Sequence, residues 1–355
     1  MDLQRRIDAF SQLGECLRWF GNDVPEAVGK NDNKYFDKLK TVVKESYLNN
    51  GWFIEKNVRN MLFSLGESLE KSSLEKWVSK YYDKFIVSHQ PKTVAVIMAG
   101  NIPVVGFHDF LSVLMSGNRI LAKLSSDDDK LLPAIAELLI SIEPEFDGFI
   151  IFADGKLKDF DAVIATGSGN TSRYFDYYFG KYKNIIRRNR NGVAVLNGSE
   201  TESDFELLAE DVFMYFGLGC RNISKLFVPE DYDFVPMLDV FTKNEEIRNH
   251  HKYFNNYEYN KAIYLVNSRQ HLDAGNVLLV EDDAYASPVS VLNYEYYSDI
   301  EDLNRKLMLD ANYIQCIVSG SDEISNSIGL GQSQQPQLWD YADGIDTLDF
   351  LLESE

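Results

Sequence analysis

The stretch YFGLGCRNISKLFVPE, residues 215 to 230, places Cys220 between a glycine-rich turn and an arginine, just ahead of a β-like run. A thiolate in such a place attacks carbonyl carbon, and its reactivity follows its ionisation and exposure. The same local pattern also suits a small buried hydrophobe. In MAGNIPVVGFHDF a strand ends at Gly100, Asn101 and Pro103 before a helix opens. Backbone N–H groups and the Asn101 amide then stand at the carboxyl edge of a sheet, where open α/β sheets bind ligands. A helix cap by Asn101 is the alternative. SGNRILAKLSSDDDKLLP turns at Gly117 and Asn118, runs along a strand and delivers Lys123 and Ser126 to its end. A lysine and hydroxyls there suit the adenosine ribose of a dinucleotide, and they equally suit a surface lysine followed by helix-capping Ser and Asp. DAVIATGSGNTSRYF gives a strand, a small-residue turn at Gly167, Ser168 and Gly169, and a helix start. Backbone donors in such a turn can approach a pyrophosphate. The full G-x-G-x-x-G pattern is absent, because Ser172 stands where the last glycine would be, and a plain tight turn fits the same residues. His108, inside a helix, reads as a packed or solvated side chain without a catalytic role.

These residues need elements to hold them. Up to about residue 85, apolar positions three and four apart in YFDKLKTVVKESYL, WFIEKNVRNMLFSL and LEKWVSKYY have the period of amphipathic helices. After Pro91 the pattern alternates: TVAVIMA, VVGFHDFLSVLMS, RILAKL, KLLPAIAELLIS, GFIIFA and DAVIAT before TSRYFDYYF. Strand and helix in turn imply a parallel sheet with crossover helices. A second alternating series begins at GVAVLNG and continues through the helix-like DFELLAEDVFMYF. It goes on with the β-like runs KLFVPE, AIYLVN, NVLLVE, PVSVLNY and YIQCIVSG. The expected class is α/β, with residues 1–190 forming N-terminal helices and a first α/β domain and residues 191–325 a second α/β domain. The segment 326–355 is a tail that packs back or reaches a subunit interface. The basic stretch GKYKNIIRRNRNG lies at the boundary, and its Lys181, Lys183, Arg187, Arg188 and Arg190 suit the phosphates of an anionic ligand, and suit a solvated domain-boundary surface at least as well.

The 355 residues, 45% of them hydrophobic, can bury a large core. A formal charge of −20 argues against nucleic acid or an anionic membrane as partner. Cys16, Cys220 and Cys316 are too few and too scattered for a disulfide framework, and no zinc-type spacing is present, so no metal is expected. The longest apolar runs have strand length rather than membrane-span length, and the amino terminus lacks a signal-type apolar core. The reading is a cytoplasmic protein with no membrane span. Cys16 and Cys316 keep a structural reading.

Taken in order, the GNIP, GNRILAK, TGS and GLGC stretches resemble the aldehyde dehydrogenase superfamily. They are most similar to its fatty acyl-CoA reductase branch, the Lux-type reductases of bacterial luminescence, over about residues 90 to 320. The resemblance implies an aldehyde dehydrogenase-like fold, with a Rossmann-type cofactor domain within 1–190 and an α/β catalytic domain over 191–325, and it implies an oxyanion amide at Asn101, a ribose-binding Lys123, a diphosphate turn at Gly167 and Ser168, and a nucleophile at Cys220. The family's E-x-F-G-P turn falls on EDDAYASPVSV, where Pro288 matches and the acid that meets the nicotinamide ribose is Glu281, Asp282 or Asp283.

Two departures carry information. The water-activating glutamate of hydrolytic relatives has no counterpart in IIRRNRNGVAV, which suits a reductase, because an activated water would destroy its acyl-enzyme. Ser126 stands where NAD-preferring relatives often carry a glutamate, which leaves room for a 2'-phosphate and favours NADPH. The resemblance therefore implies NADPH-dependent reduction of a fatty acyl thioester, acyl-CoA or acyl-carrier, to an aldehyde through a Cys-linked acyl-enzyme. It also implies a homo-oligomer and an acyl-transferring or acyl-activating partner protein. The competing expectations are a non-acylating aldehyde dehydrogenase, an acyl-phosphate reductase and a non-catalytic acyl-binding subunit.

Overall fold

The computed structural model describes residues 1–21, 34–86, 90–167 and 169–353. The chain forms two compact units, Met1–Arg188 with Gln337–Glu355, and Asn189–Pro336.

The first unit opens with α1 (Leu3–Arg18), α2 (Lys34–Asn49), α3 (Glu55–Ser68), α4 (Lys71–Ser79) and the short α5 (Tyr82–Ile86). Helix α1 starts where the Asp2 carboxylate accepts the Arg5 N–H at 2.8 Å, and it buries Ile7, Phe10, Leu13 and Leu17 at helical spacing. It approaches α3 at Gly14 and Gly66. A Cβ on Gly14 would lie 3.0 Å from the Gly66 oxygen and 2.8 Å from the Leu69 Cβ, so no larger residue fits without moving the helices apart. Strands and helices then alternate: β1 (Thr93–Ile97), α6 (Phe107–Met115), β2 (Arg119–Lys123), α7 (Leu131–Ile142), β3 (Ile150–Phe152), β4 (Ala162–Thr166), α8 (Gly169–Phe179) and β5 (Lys183–Arg187). All five strands pair in parallel in the order β3-β2-β1-β4-β5. Val94, Val96, Ile120, Ala122 and Ile164 face a core shared with α1, α6 and α7, while Ala95, Val163 and Ala165 lie under Phe175 and Phe179 of α8. Chain order reverses between β1 and β4, and the crevice at the carboxyl ends of such a pair is where dinucleotides lie in sheets of this topology. Strand β5 comes from the stretch read above as a basic boundary. Its apolar pair Ile185–Ile186 is flanked by charge because the strand lies at the sheet edge, where only part of it is covered.

The second unit contains β6 (Asn191–Val195), α9 (Glu202–Phe213), β7 (Ile223–Pro229), α10 (Val235–Thr242), α11 (Glu245–Asn249), α12 (His251–Val266), β8 (Leu272–Asp273), β9 (Leu278–Glu281), β10 (Val291–Tyr297), α13 (Ile300–Leu309) and β11 (Ile314–Ser319). Its sheet has the order β11-β6-β7-β10-β9-β8, parallel except for β8 against β9. AIYLVN is not a strand. It is the end of α12, whose buried Tyr253, Tyr257, Asn260 and Tyr264 follow a four-three-four spacing, while Leu265 and Val266 are exposed. A short apolar run does not distinguish strand from helix, and the tyrosines upstream set the period.

The second unit keeps the chain as far as Pro336, because the buried Asp211 carboxylate accepts the N–H groups of Gly331 and Ser333 at 2.7 and 2.9 Å. The following residues return to the first unit, where α14 (Thr347–Leu352) places Leu348, Leu351 and Leu352 in the core against α6. Tyr341 accepts from the Trp77 indole at 2.7 Å, Tyr81 donates to Asp346 at 2.6 Å, and the Asn118 amide donates to the Leu351 carbonyl at 3.2 Å.

Candidate active site

Three loops gather at the carboxyl edge of the first unit's sheet. After β1 the chain passes through Gly100 and the exposed Asn101 into a turn, and α6 begins only at Phe107, with Gly106 as its N-cap. Asn101 is therefore not the helix cap. Gly100 is confined: a Cβ there would lie 2.7 Å from the Ser125 Oγ and 3.1 Å from the Asp127 Cβ, so the loop after β2 packs directly on this turn. Lys123 closes β2 in register with Ile97 of β1, and its side chain is exposed. Ser126 is also exposed, and α7 starts at Leu131 without a side-chain cap from its N-cap Lys130, so Ser126 does not cap it. Gly167 follows β4 directly and is half-buried, and α8 opens two residues later. Ser168 lies outside the described residues. Asn101, Lys123, Ser126 and Gly167 thus share one sheet edge. Asn118 does not join them: it stands just before β2 and ties that end of the strand to the start of β1, its oxygen accepting the Lys92 N–H at 3.0 Å.

In the second unit, Cys220 is exposed in the turn between α9 and β7. The approach to it is unusual. Tyr215, Phe216 and Gly217 have φ of +53, +60 and +73°, three consecutive residues in the left-handed region that aromatic side chains avoid. Both rings are buried, and Phe216 stacks on the His250 imidazole at 3.9 Å. Asn222, only 2% exposed, fastens the loop from within. Its amide donates to the Asp211 carbonyl at 3.0 Å and the Met214 carbonyl at 2.8 Å, its oxygen accepts the Gly219 N–H at 2.8 Å, and its own N–H reaches the Gly219 carbonyl at 3.0 Å. Arg221 Nε donates to the Ser333 carbonyl. Cys220 therefore projects from a turn tied down on both sides. Asn222 and Asp211 were not legible beforehand; the one signal was an asparagine directly ahead of a buried strand.

The other two cysteines have different settings. Cys16 lies half-buried on α1, and burial pushes its thiol pKa up. Cys316, half-buried on β11, donates its thiol to the Arg221 carbonyl at 3.6 Å.

Beside the Cys220 turn is a small open pocket, lined by Phe216, Gly219 and Asn222 of that turn and by Ser287, Pro288 and Ser290 of the segment between β9 and β10. Lys225, fully buried, holds that segment: it donates to the Asp283 carbonyl at 2.7 Å and pairs with Glu295 at 2.6 Å. Asn293 donates to the Ala284 carbonyl at 2.9 Å, and Ser224 to the Tyr285 carbonyl at 2.7 Å. Of the three acids, Asp282 is engaged by Arg269 and by the Ala284 N–H, which hold its pKa below the ordinary carboxylate range. Glu281 ends β9 exposed.

The basic stretch is dispersed rather than gathered on a phosphate. Lys183 donates to the Phe350 carbonyl at 2.8 Å, Arg187 is buried on Asp109, Arg188 faces Asp176 at 3.8 Å, and Arg190 donates to the Ala311 carbonyl at 3.0 Å. On a strand, residues two apart share a face, so Lys183 and Arg187 both turn toward the α14 segment. His108 packs between Trp77 and Tyr341, its Nε2 2.9 Å from the Leu338 carbonyl, and burial lowers its pKa.

Two units of parallel sheet, with glycine turns at strand ends in one and an exposed cysteine turn in the other, define the aldehyde dehydrogenase fold. Aldehyde dehydrogenase 21 from Physcomitrella patens, in complex with the reaction product succinate, superposes with a TM-score of 0.68 at 13% identity, over 99% of this chain and 84% of that one. An acetylating aldehyde dehydrogenase from Geobacillus thermoglucosidasius gives 0.60 at 12% identity, over 95% and 86%. An NADP-dependent enzyme of E. coli gives 0.60 at 13%, over 93% and 80%. No curated protein sequence matches the chain. Residues 34–237, more than half of the chain, match the model described as LuxC, acyl-CoA reductase, and the protein belongs to that family. It is an oxidoreductase acting at the aldehyde or oxo group, and the matched span contains Asn101, Lys123, Ser126, Gly167, Ser168 and Cys220.

Proposed function

We propose that the protein reduces a fatty acyl thioester to the aldehyde through an acyl-enzyme on Cys220, with NADPH as reductant. The observation that carries this reading is an exposed cysteine on a tied turn, inside the span that matches the acyl-CoA reductase family. The Cys220 thiolate attacks the thioester carbonyl, the carbon–sulfur bond to CoA or to a carrier breaks, and the departing thiolate takes up a proton. Sulfur-for-sulfur exchange is nearly balanced in energy, and thiolates are strong nucleophiles. The Asn101 amide and the Cys220 N–H hold the tetrahedral oxyanion, donors typically worth about 3 kcal/mol each. NADPH, when bound, supplies the hydride that takes the acyl carbon to the aldehyde level. Cys220 then leaves as thiolate while the carbonyl re-forms, which releases the aldehyde and restores the nucleophile. The absence of a carboxylate from residues 185–195 keeps water from competing for the acyl group.

The residues at the sheet edge fit the cofactor. Gly167, beside the start of α8, and Ser168 would take the diphosphate, and Lys123 and Ser126 would hold the adenosine ribose and its 2'-phosphate. An NADP-dependent enzyme and an NAD-dependent aldehyde dehydrogenase are among the structures that share this fold. A charge-assisted pair of lysine with phosphate contributes about 1.5–3 kcal/mol, so Lys123→Ala is expected to raise KM for NADPH roughly tenfold or more beyond the smaller rise that loss of the ribose contact causes for NADH. Equal losses with both cofactors remove the 2'-phosphate assignment. The reaction itself is tested by following NADPH absorbance over a series of acyl-CoA chain lengths with aldehyde detection. Stoichiometric aldehyde is the expected product. Acylated protein that never consumes NADPH in the presence of an acyl-activating partner overturns the reading.

A further inference from the structure

Val104, three residues beyond Asn101, has φ of +47°, a backbone that a β-branched residue adopts only when its surroundings impose it. The imposing group is a carboxylate. The Val104 N–H donates to Asp128 Oδ2 at 2.7 Å in a buried hydrogen bond, and the N–H of Leu131, the first residue of α7, stands near enough to the same carboxyl to favour its charged form. Asp128 is only 9% exposed, and burial pushes its pKa up to about 6 against the pull of those two donors. A buried carboxylate is costly in itself, but it presents two acceptor oxygens to two different elements, where serine or asparagine presents one. The loop that carries Asp128 is also braced from behind. The Asn50 amide of the helical layer donates to the Asp127 carbonyl at 3.2 Å, the Asp127 N–H reaches Ser125 Oγ at 3.2 Å, and Ser125 fills the space in front of Gly100. The turn after β1 and the loop after β2 are thus fastened at two points, by contact at Gly100 and by hydrogen bond at Val104.

We propose that Asp128 is a positioning residue for Asn101: by tying the strained Val104 N–H to the loop that carries Lys123 and Ser126, it fixes where the Asn101 amide meets the acyl carbonyl. This rests on the oxyanion role proposed for Asn101. Asp128 touches neither substrate nor cofactor in this scheme and acts only through the turn.

The test is a double-mutant cycle on the acylation step, read as the burst of free CoA when full-length enzyme meets acyl-CoA without cofactor. Asn101→Ala should slow the burst by about a hundredfold. Asp128→Ala should slow it at least about tenfold at unchanged KM for acyl-CoA, because misplacement of a catalytic group by an ångström costs up to about a hundredfold. Asp128→Asn, which keeps one acceptor and the volume of the side chain, should fall between wild type and alanine, and it carries the comparison if the alanine variant does not fold. In the Asn101→Ala background either change at Asp128 should cost less than about twofold. A fully active Asn101→Ala enzyme removes the oxyanion reading and this inference with it. An impaired Asn101→Ala enzyme beside unimpaired Asp128 variants removes the inference alone. So does an equal loss from the Asp128 change in both backgrounds, since that is the mark of a general effect on the fold.

Discussion

Replacing Cys220 by serine is expected to abolish labelling of the protein by radiolabelled acyl-CoA and to lower NADPH-dependent reduction by about three orders of magnitude or more. Serine matches cysteine in size, but its hydroxyl does not ionise near neutral pH and needs a base that the reaction as proposed does not use. The turn is held by Asn222 and Gly219, so the substitution at this exposed position should change stability by less than about 0.5 kcal/mol. Loss of activity with an unchanged melting curve is therefore the expected pair of results. Cys16→Ala and Cys316→Ala should label normally, since both thiols are only partly accessible and burial raises that of Cys16. Wild-type labelling of the Cys220→Ser protein would reject the assignment.

The largest expected effect on stability lies at Arg187. Its guanidinium meets the Asp109 carboxylate at 2.5 and 2.7 Å in a two-pronged pair, with Thr347 Oγ1 accepting at 3.0 Å, and both charged side chains are buried. Three elements, β5, α6 and the start of α14, meet at this group. Removing one member of such a pair typically costs about 3–5 kcal/mol, because the other charge stays out of water with nothing to compensate it. Arg187→Met should accordingly lower the urea midpoint by at least about 1 M, given slopes of roughly 1–3 kcal/mol per molar. The four tryptophans, Trp19, Trp52, Trp77 and Trp339, all belong to the first unit, so their fluorescence reports on that unit. Adding Asp109→Leu should restore most of the loss, since an apolar pair of similar volume replaces the charges without leaving one stranded. A single variant within about 1 kcal/mol of wild type would show that the pair contributes little.

Strands β1, β2 and β4 were legible because each is an apolar run bounded by turn residues, and the groups that the site needs sit in those turns. Asn101, Lys123, Ser126 and Gly167 could be placed on one sheet edge from alternation alone. The errors arose where the local pattern was silent about what covers a segment. Ile185 and Ile186 among basic residues did not announce an edge strand, and AIYLVN gave no sign that the tyrosines before it had already set a helical period. The side chains that fasten the site were less visible still. Asn222 binds backbone groups of its own turn and of the end of α9, Asp128 binds the turn after β1, and Arg187 finds Asp109 across 78 residues of chain; such bonds have no period and no motif.

The return of α14 to the first unit bears on how the protein is made. Leu348, Leu351 and Leu352, which complete that unit's core, are translated only after all of Asn189–Pro336, an interval on the order of ten seconds at about 5–20 residues per second. Through that interval the nascent amino-terminal half carries an uncovered greasy furrow on the ribosome, whereas the inserted half can close as soon as it emerges. The unit begun first is therefore the one whose core is completed last.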